Sequence, residues 1–330
     1  LLSKSSILYK WLTDVIYKDN HIVAWPIDAD VNTWTINVTQ WESLGLGSIP
    51  KTWFDVLECL QIWNDYFKDD YPNISVLDAQ DGIYGIIRDI VRDCIFQSES
   101  HNSRSVTETP ELITILQSLL EHSSYFDRGE KPLIMPYSQY LGMGYNDQDT
   151  VMNILPPSLS DNQERVAYAT VDFIVINPLS RHQQEAIDFV EYYAENLDII
   201  KKYMFYSTMT EPIRPNGFEQ NVKNMQEQIE KLQSANENDQ TISDELAVAL
   251  LDLNELIENE WLVSQSDINI WSSIANSIYV PIEAAYLGNN DKQSQSINSL
   301  IHLFADKKID INLFFQRLNK ILQMIYYESQ

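Results

Sequence analysis

Asp28, Asp30 and Asn32 stand at alternate positions of the stretch HIVAWPIDADVNTWTINVTQW, residues 21–41. This D-x-D-x-N spacing opens many calcium loops. Such a loop also needs Gly at its sixth position for the sharp turn and Glu at its twelfth as a bidentate ligand. Thr33 and Thr39 occupy those places, and residues 33–39 alternate as a strand does. A calcium loop is therefore rejected. His21, His101, His122, His182 and His302 are scattered without metal-ligand spacing. No G-x-S-x-G elbow, Walker loop or G-x-G-x-x-G fingerprint occurs. LGLGS (44–48) has the glycines of a phosphate loop but no Lys, and reads as a turn. Neither enzymatic activity, nor a cofactor, nor a metal is expected.

Eight Trp and 18 Tyr, many beside Asp or Asn, offer a different chemistry. Flat rings cover the apolar face of a sugar, while carboxylates and amides bond to its hydroxyls. The same aromatics also serve as ordinary core residues. The balance of 22 Lys and Arg against 48 Asp and Glu gives a net charge of -26, which argues against a nucleic-acid partner. The two cysteines, Cys59 and Cys94, are too few for a disulfide framework; both read as small buried side chains. No run reaches the roughly 18 apolar residues of a membrane span.

The elements that must position these groups read as α/β and helix-rich. A short helix over about 5–17 leads into a strand at 21–27, with Pro26 near the strand end. Gly45, Gly47 and Pro50 mark a turn. The helix PKTWFDVLECLQIWNDYF follows, with Thr52 as N-cap, Asp55 completing a capping box, and Phe54, Leu57, Leu60 and Trp63 on one face. ISVLD (74–78) reads as a strand, GIYGIIRDIVRDCIF as a helix, and 97–108 as a polar loop. Thr109 and Pro110 open the next helix. KPLIMP is a brief strand and YATVDFIVI the clearest one. Ser180 and Gln183 form an S-x-x-Q signature for the helix that follows. Beyond about 217 the pattern is helical. Val222, Met225, Ile229 and Leu232 share a stripe, Ser243 is expected to cap DELAVALLDLNELIENEW, and another helix spans 267–286, broken near Pro281. The last helix is INLFFQRLNKILQMIYY.

The order of these segments resembles extracellular solute-binding protein family 1, the maltose-binding-protein-like components of ABC importers. Its carriers are the AWPI strand, the P-x-T-W-x-D-x-L pattern at Pro50, Thr52, Trp53, Asp55 and Leu57, and the helix motif through Ser180, Ala186 and Phe189. The resemblance implies a type II periplasmic-binding-protein-like fold of two lobes. Residues 1–30 would be a remnant of lobe 1 and the hinge strand, and 31–150 lobe 2. Residues 151–215 would return across the hinge, and 216–330 would pack on both lobes. With only about twenty residues before the AWPI strand and no initiating Met, the first lobe is expected to be incomplete. The resemblance further implies a carbohydrate solute, a partnership with permease subunits, and an extracellular lipoprotein whose anchor lies outside this sequence. By position it nominates Asp30, Trp34, Asp81, Tyr84, Tyr137, Tyr140 and Trp271 as ligand-binding residues. Trp53 and Trp63 are assigned to the core or lobe surface. The competing expectation is a surface scaffold that keeps the fold but binds no solute.

Overall fold

The computed structural model describes residues 5–18, 21–77, 82–100, 105–121, 131–138, 151–234, 240–280 and 292–328. Helix α1 (Lys10–Ile16) leads into the antiparallel pair β1 (Tyr17–Lys18) and β2 (His21–Ile22). The 13-residue strand β3 (Trp25–Asn37) then organises the rest of the fold. This strand is longer than the expected 21–27 and starts later, so Pro26 stands near its beginning. There the missing N–H coincides with a register shift between Pro26 and Asp28.

Along one edge of β3, Trp25 to Asn32 pairs antiparallel with β7 (Ala167–Ile174), and Trp34 to Asn37 with β6 (Val151–Ile154). On the other edge, Thr33 to Ile36 pairs antiparallel with β5 (Lys131–Ser138), which in turn is parallel to β4 (Ile74–Leu77). Strand β8 (Ile278–Tyr279) adds to β7 in parallel. After the buried Trp25 and Pro26 of β3, residues Ile27 to Asp30 of the strand alternate between partly covered and exposed positions. Its last five residues are all buried, as expected of a strand covered on both faces.

Two separate cores lie along this strand. The first gathers Trp34 and Ile36 of β3 with helices α2 (Val38–Ser43), α3 (Trp53–Tyr66), α4 (Ile83–Ser100) and α5 (Pro110–Glu121). The second gathers Trp25 and Val31 of β3 with α1, β7, α6 (Gln183–Glu195) and α7 (Ile199–Phe205). Helices α8 (Phe218–Ser234) and α9 (Gln240–Glu258) pack on each other, and their buried residues Phe218, Ile229 and Ala249 belong to neither core. Helix α10 (Gln265–Ala275) returns to the second core. Helices α11 (Lys292–Ala305) and α12 (Ile311–Glu328) complete the first, where Phe304 stacks on Phe314 at 4.6 Å.

Local chemistry sets the helix starts. The Thr52 side chain accepts from the Asp55 N–H at 3.2 Å, and the Asp55 carboxylate accepts from the N–H of Thr52 at 2.8 Å and of Lys51 at 2.9 Å. Burial pushes the Asp55 carboxyl up, but these backbone donors outweigh it and hold it below the usual range. Replacing Thr52 with Ala is expected to cost about 1 kcal/mol in a urea titration. Asp55's own contribution is present above the unfolded pKa near 4 and fades as pH falls through its lowered folded value. The buried face of α3 is Trp53, Val56, Leu60 and Trp63, whereas Phe54 is exposed. The first residue after a cap, not the second, turns inward here.

Other expectations change. Helix α6 starts at Gln183 with His182 as a cap that lends no side-chain bond. Ser180 instead accepts from the His182 N–H at 3.1 Å, and Gln183 donates to the Pro178 carbonyl at 2.6 Å. The turn at Asn177, whose side chain accepts from the Leu179 N–H, takes up the serine before the helix begins. Ser243 lies inside α9 rather than at its cap, and α4 continues to Ser100. Helix α10 ends at Ala275, well short of 286, because the chain is drawn into the sheet: the Ala167 N–H donates to the Ser277 carbonyl at 2.9 Å. Its start is a Ser264–Asp267 capping box that the S-x-x-D spacing signals.

Candidate functional site

The residues nominated from sequence fall into different settings. Asp30 is exposed on β3, opposite Thr170 of β7, on the stretch that passes from the second core to the first. Its neighbour Asp28 pairs with Lys201 of α7 at 2.8 Å, a bond that raises the lysine pKa. Trp34 is only 2% exposed and meets Trp53 edge-to-face at 5.5 Å within the first core. Trp271 is 5% exposed within the second core. Tyr84 donates to the Asp306 carboxylate at 2.6 Å, and its ring lies 4.3 Å from that of His302, so it ties α4 to the end of α11. Tyr137 lies on β5 with only its backbone described, and Asp81 and Tyr140 lie outside the described residues. Neither tryptophan presents an open ring face, and the two sit in different cores.

A junction that sequence reading missed joins the cores. On α4, Asp89, Asp93 and Gln97 recur every four residues and share one face. Nearby Phe96 packs on Tyr279 of β8 at 4.8 Å, and Tyr279 meets Tyr168 of β7 edge-on at 6.3 Å. Asp89, Asp93 and Tyr168 are all buried. Gln97 donates to Asp93 Oδ1 at 3.4 Å and to the Glu164 carbonyl at 3.2 Å. Arg92 Nη1 approaches Asp89 Oδ1 at 3.6 Å.

The electrostatics of this junction follow from burial. Removal from water pushes the Asp93 carboxyl up to about 7, against the bonds from Gln97 and the Leu159 backbone. The same burial, with the charges of Asp93 and Asp89 close by, lifts the Tyr168 hydroxyl well above its ordinary value. Asp93 Oδ2 and the Tyr168 hydroxyl are buried with no hydrogen-bond partner among the described residues. Each such group carries an uncompensated desolvation cost of about 1–3 kcal/mol. Beside Gln97 opens a cleft of about 460 Å³, lined by Gln97, Ser98, Thr107, Thr109, Asn162 and Gln163 over a floor that includes Leu112 and Leu159.

None of Asp89, Asp93, Phe96, Tyr168 and Tyr279 lines this cleft; the chemistry of the junction itself matches a hydroxyl-bearing molecule. A ligand hydroxyl can donate to a carboxylate and accept from a tyrosine, and the rings supply apolar contact. Among the described residues no group of His, Cys, Asp and Glu is placed to hold a metal ion. The one sequence signal for the junction is the D-x-x-x-D-x-x-x-Q repeat at Asp89, Asp93 and Gln97, which puts two carboxylates and an amide on one face of the helix.

No family model matches the chain, and no curated protein sequence matches it. Solved structures do. The cyclic alpha-maltosyl-1,6-maltose binding protein from Arthrobacter globiformis is 12% identical with a TM-score of 0.52, covering 97% of this chain and 77% of its own. The putative binding protein MsmE from Bacillus subtilis, in an open conformation, is 11% identical with a TM-score of 0.55, covering 98% and 77%. The ABC substrate-binding protein Lmo0181 from Listeria monocytogenes, in complex with cycloalternan, is 12% identical with a TM-score of 0.50, covering 98% and 76%. The chain therefore has the two-lobed, periplasmic-binding-protein-like α/β fold.

Proposed function

We propose that the protein belongs to extracellular solute-binding protein family 1 and serves as the extracytoplasmic solute-binding component of an ABC importer, holding a carbohydrate between its two cores. The observation that carries this reading is the junction of Asp89, Asp93, Phe96, Tyr168 and Tyr279, placed where the cores meet in a fold whose solved examples include sugar binders. The cores part about β3 and its partner strands, the solute enters, and closure expels water around it. A solute hydroxyl then supplies the donor that Asp93 Oδ2 lacks and accepts from Tyr168. Asp30, exposed on the crossing strand, is a further carboxylate for the same solute. Binding proceeds without turnover.

Among the described residues no helix is long and apolar enough to cross a membrane. Location outside the cytoplasm, a lipid anchor beyond this sequence and docking to permease subunits complete the proposal. The acidic surface is compatible with such docking, since local patches meet the transporter.

A thermal-shift series with mono- and oligosaccharides tests the reading. A saturable rise in Tm is expected, because a ligand that binds only the folded state stabilises it by mass action. A rise that disappears in Tyr168→Phe and Asp30→Asn variants of normal stability places the sugar at the junction. The second reading, a scaffold without solute, is favoured by the burial of Asp89, Asp93 and Tyr168. The absence of any shift across linear and cyclic glucans, xylans and galactosides would sink the carbohydrate reading and leave that scaffold or a non-sugar solute.

A further inference from the structure

The α8–α9 pair has a surface that solute binding does not use. In α8, Phe218, Val222, Met225, Ile229 and Leu232 recur at four- and three-residue steps, all buried or half-buried. In α9, Ile242, Leu246, Ala249, Leu253 and Leu256 recur in the same way and are likewise covered. With only residues 235–239 between them, the two helices pack on each other, and these covered stripes are the faces that a mutual contact would bury. That seam accounts for one face of α9.

A second seam on α9 remains open. Ala247, Leu250, Asn254 and Ile257 follow one another at three-, four- and three-residue steps, on a different stripe from the first, with Leu251 alongside. Leu250 is 40% exposed, Leu251 67% and Ile257 48%. Leu and Ile at these steps are what a helix presents to another helix, and a contiguous exposed apolar stripe marks an interaction surface. The charge on the helix itself is of one sign. Helix α9 carries Asp244, Glu245, Asp252, Glu255 and Glu258 and not a single Lys, Arg or His. The absence of basic residues extends from Leu232 to Asp291.

We infer that this open face of α9 docks an amphipathic helix of a partner protein whose apolar stripe is flanked by Lys and Arg. Charge decides the occupant. A second copy of α9 would set carboxylates against carboxylates, and like charges across a helix seam are repulsive. An anionic lipid surface is repelled for the same reason. A basic helix gains both the apolar contact and ion pairs across the rim. The solitary Asn254 inside the apolar seam would fix the register of such a partner, as a single polar core position does in coiled coils. The inference is independent of the solute.

The test uses the whole chain and a fluorescein-labelled, three-heptad amphipathic peptide with Leu at a and d and Lys at e and g, followed by anisotropy. Saturable binding is expected, weakening as NaCl is raised from about 50 to 500 mM. The same peptide with Glu at e and g should bind at least tenfold more weakly. The triple variant Leu250→Ser/Leu251→Ser/Ile257→Ser should lose at least tenfold in affinity while keeping its circular dichroism, because all three side chains are exposed. Glu255→Lys/Glu258→Lys, which leaves the apolar seam intact, should narrow the preference between the two peptides. Equal binding of both peptides, or no effect of the triple variant, would overturn the inference. So would sedimentation showing a dimer that the triple variant dissolves, or co-sedimentation with phosphatidylcholine vesicles that the variant abolishes.

Discussion

Trp34→Ala is expected to destabilise the protein by about 3–5 kcal/mol, the usual range for emptying a large aromatic site in a packed core. The ring is 2% exposed and packs edge-to-face on Trp53, with neighbours from β3 and α3. Loss of the aromatic pair adds roughly 0.5–1.5 kcal/mol to the loss of buried area. Urea denaturation followed by far-UV circular dichroism reads the change directly. Trp34→Phe should recover much of it, since most of the apolar volume returns. A change in Trp34→Ala below about 1 kcal/mol, accompanied by a loss of sugar affinity, would restore the ligand-binding role nominated from sequence.

Asp93→Asn is expected to stabilise the protein above neutral pH and to leave it nearly unchanged near pH 4. The wild-type carboxyl is buried between α4 and the segment around Leu159, with Asp89, Arg92, Cys94 and Tyr168 as its charged and titratable surroundings. Its folded pKa, about 7, lies above the unfolded value near 3.8. Below about pH 4 both states carry the proton and the group contributes no pH dependence. As pH rises from about 4 to 7 the unfolded chain ionises freely while the folded chain resists, so stability falls through that window. About a unit above pH 7 the loss levels off, on the order of 4 kcal/mol for this shift. Asparagine keeps the shape and cannot ionise, so the variant's stability curve should be flatter by that amount. Urea midpoints at pH 4.5, 6 and 8 for both proteins check it, and parallel curves would sink the assignment. If a sugar donates to Asp93 Oδ2, the same variant should also bind it more weakly.

The two variants divide along the line between local and long-range information. The Thr52–Asp55 capping box, Thr109 as a cap and the seam of α8 were legible in the chain itself. Caps and helical stripes depend on residues three or four apart, whose geometry the backbone dictates wherever the segment lies. The Ser180–Gln183 signature shows the limit of that rule, because a competing turn at Asn177 took the serine.

The tertiary structure alone decided which aromatics are core and which polar residues face one another. Trp34 and Trp271 carry the same side chain as any stacking tryptophan, and only their neighbours determine whether a face is open. Asp93 and Tyr168 are separated by 75 positions and meet because α4 and β7 belong to different cores that abut along β3. No pattern within one segment encodes that encounter. Its energetic sign is set by burial, a property of the assembled fold rather than of either residue.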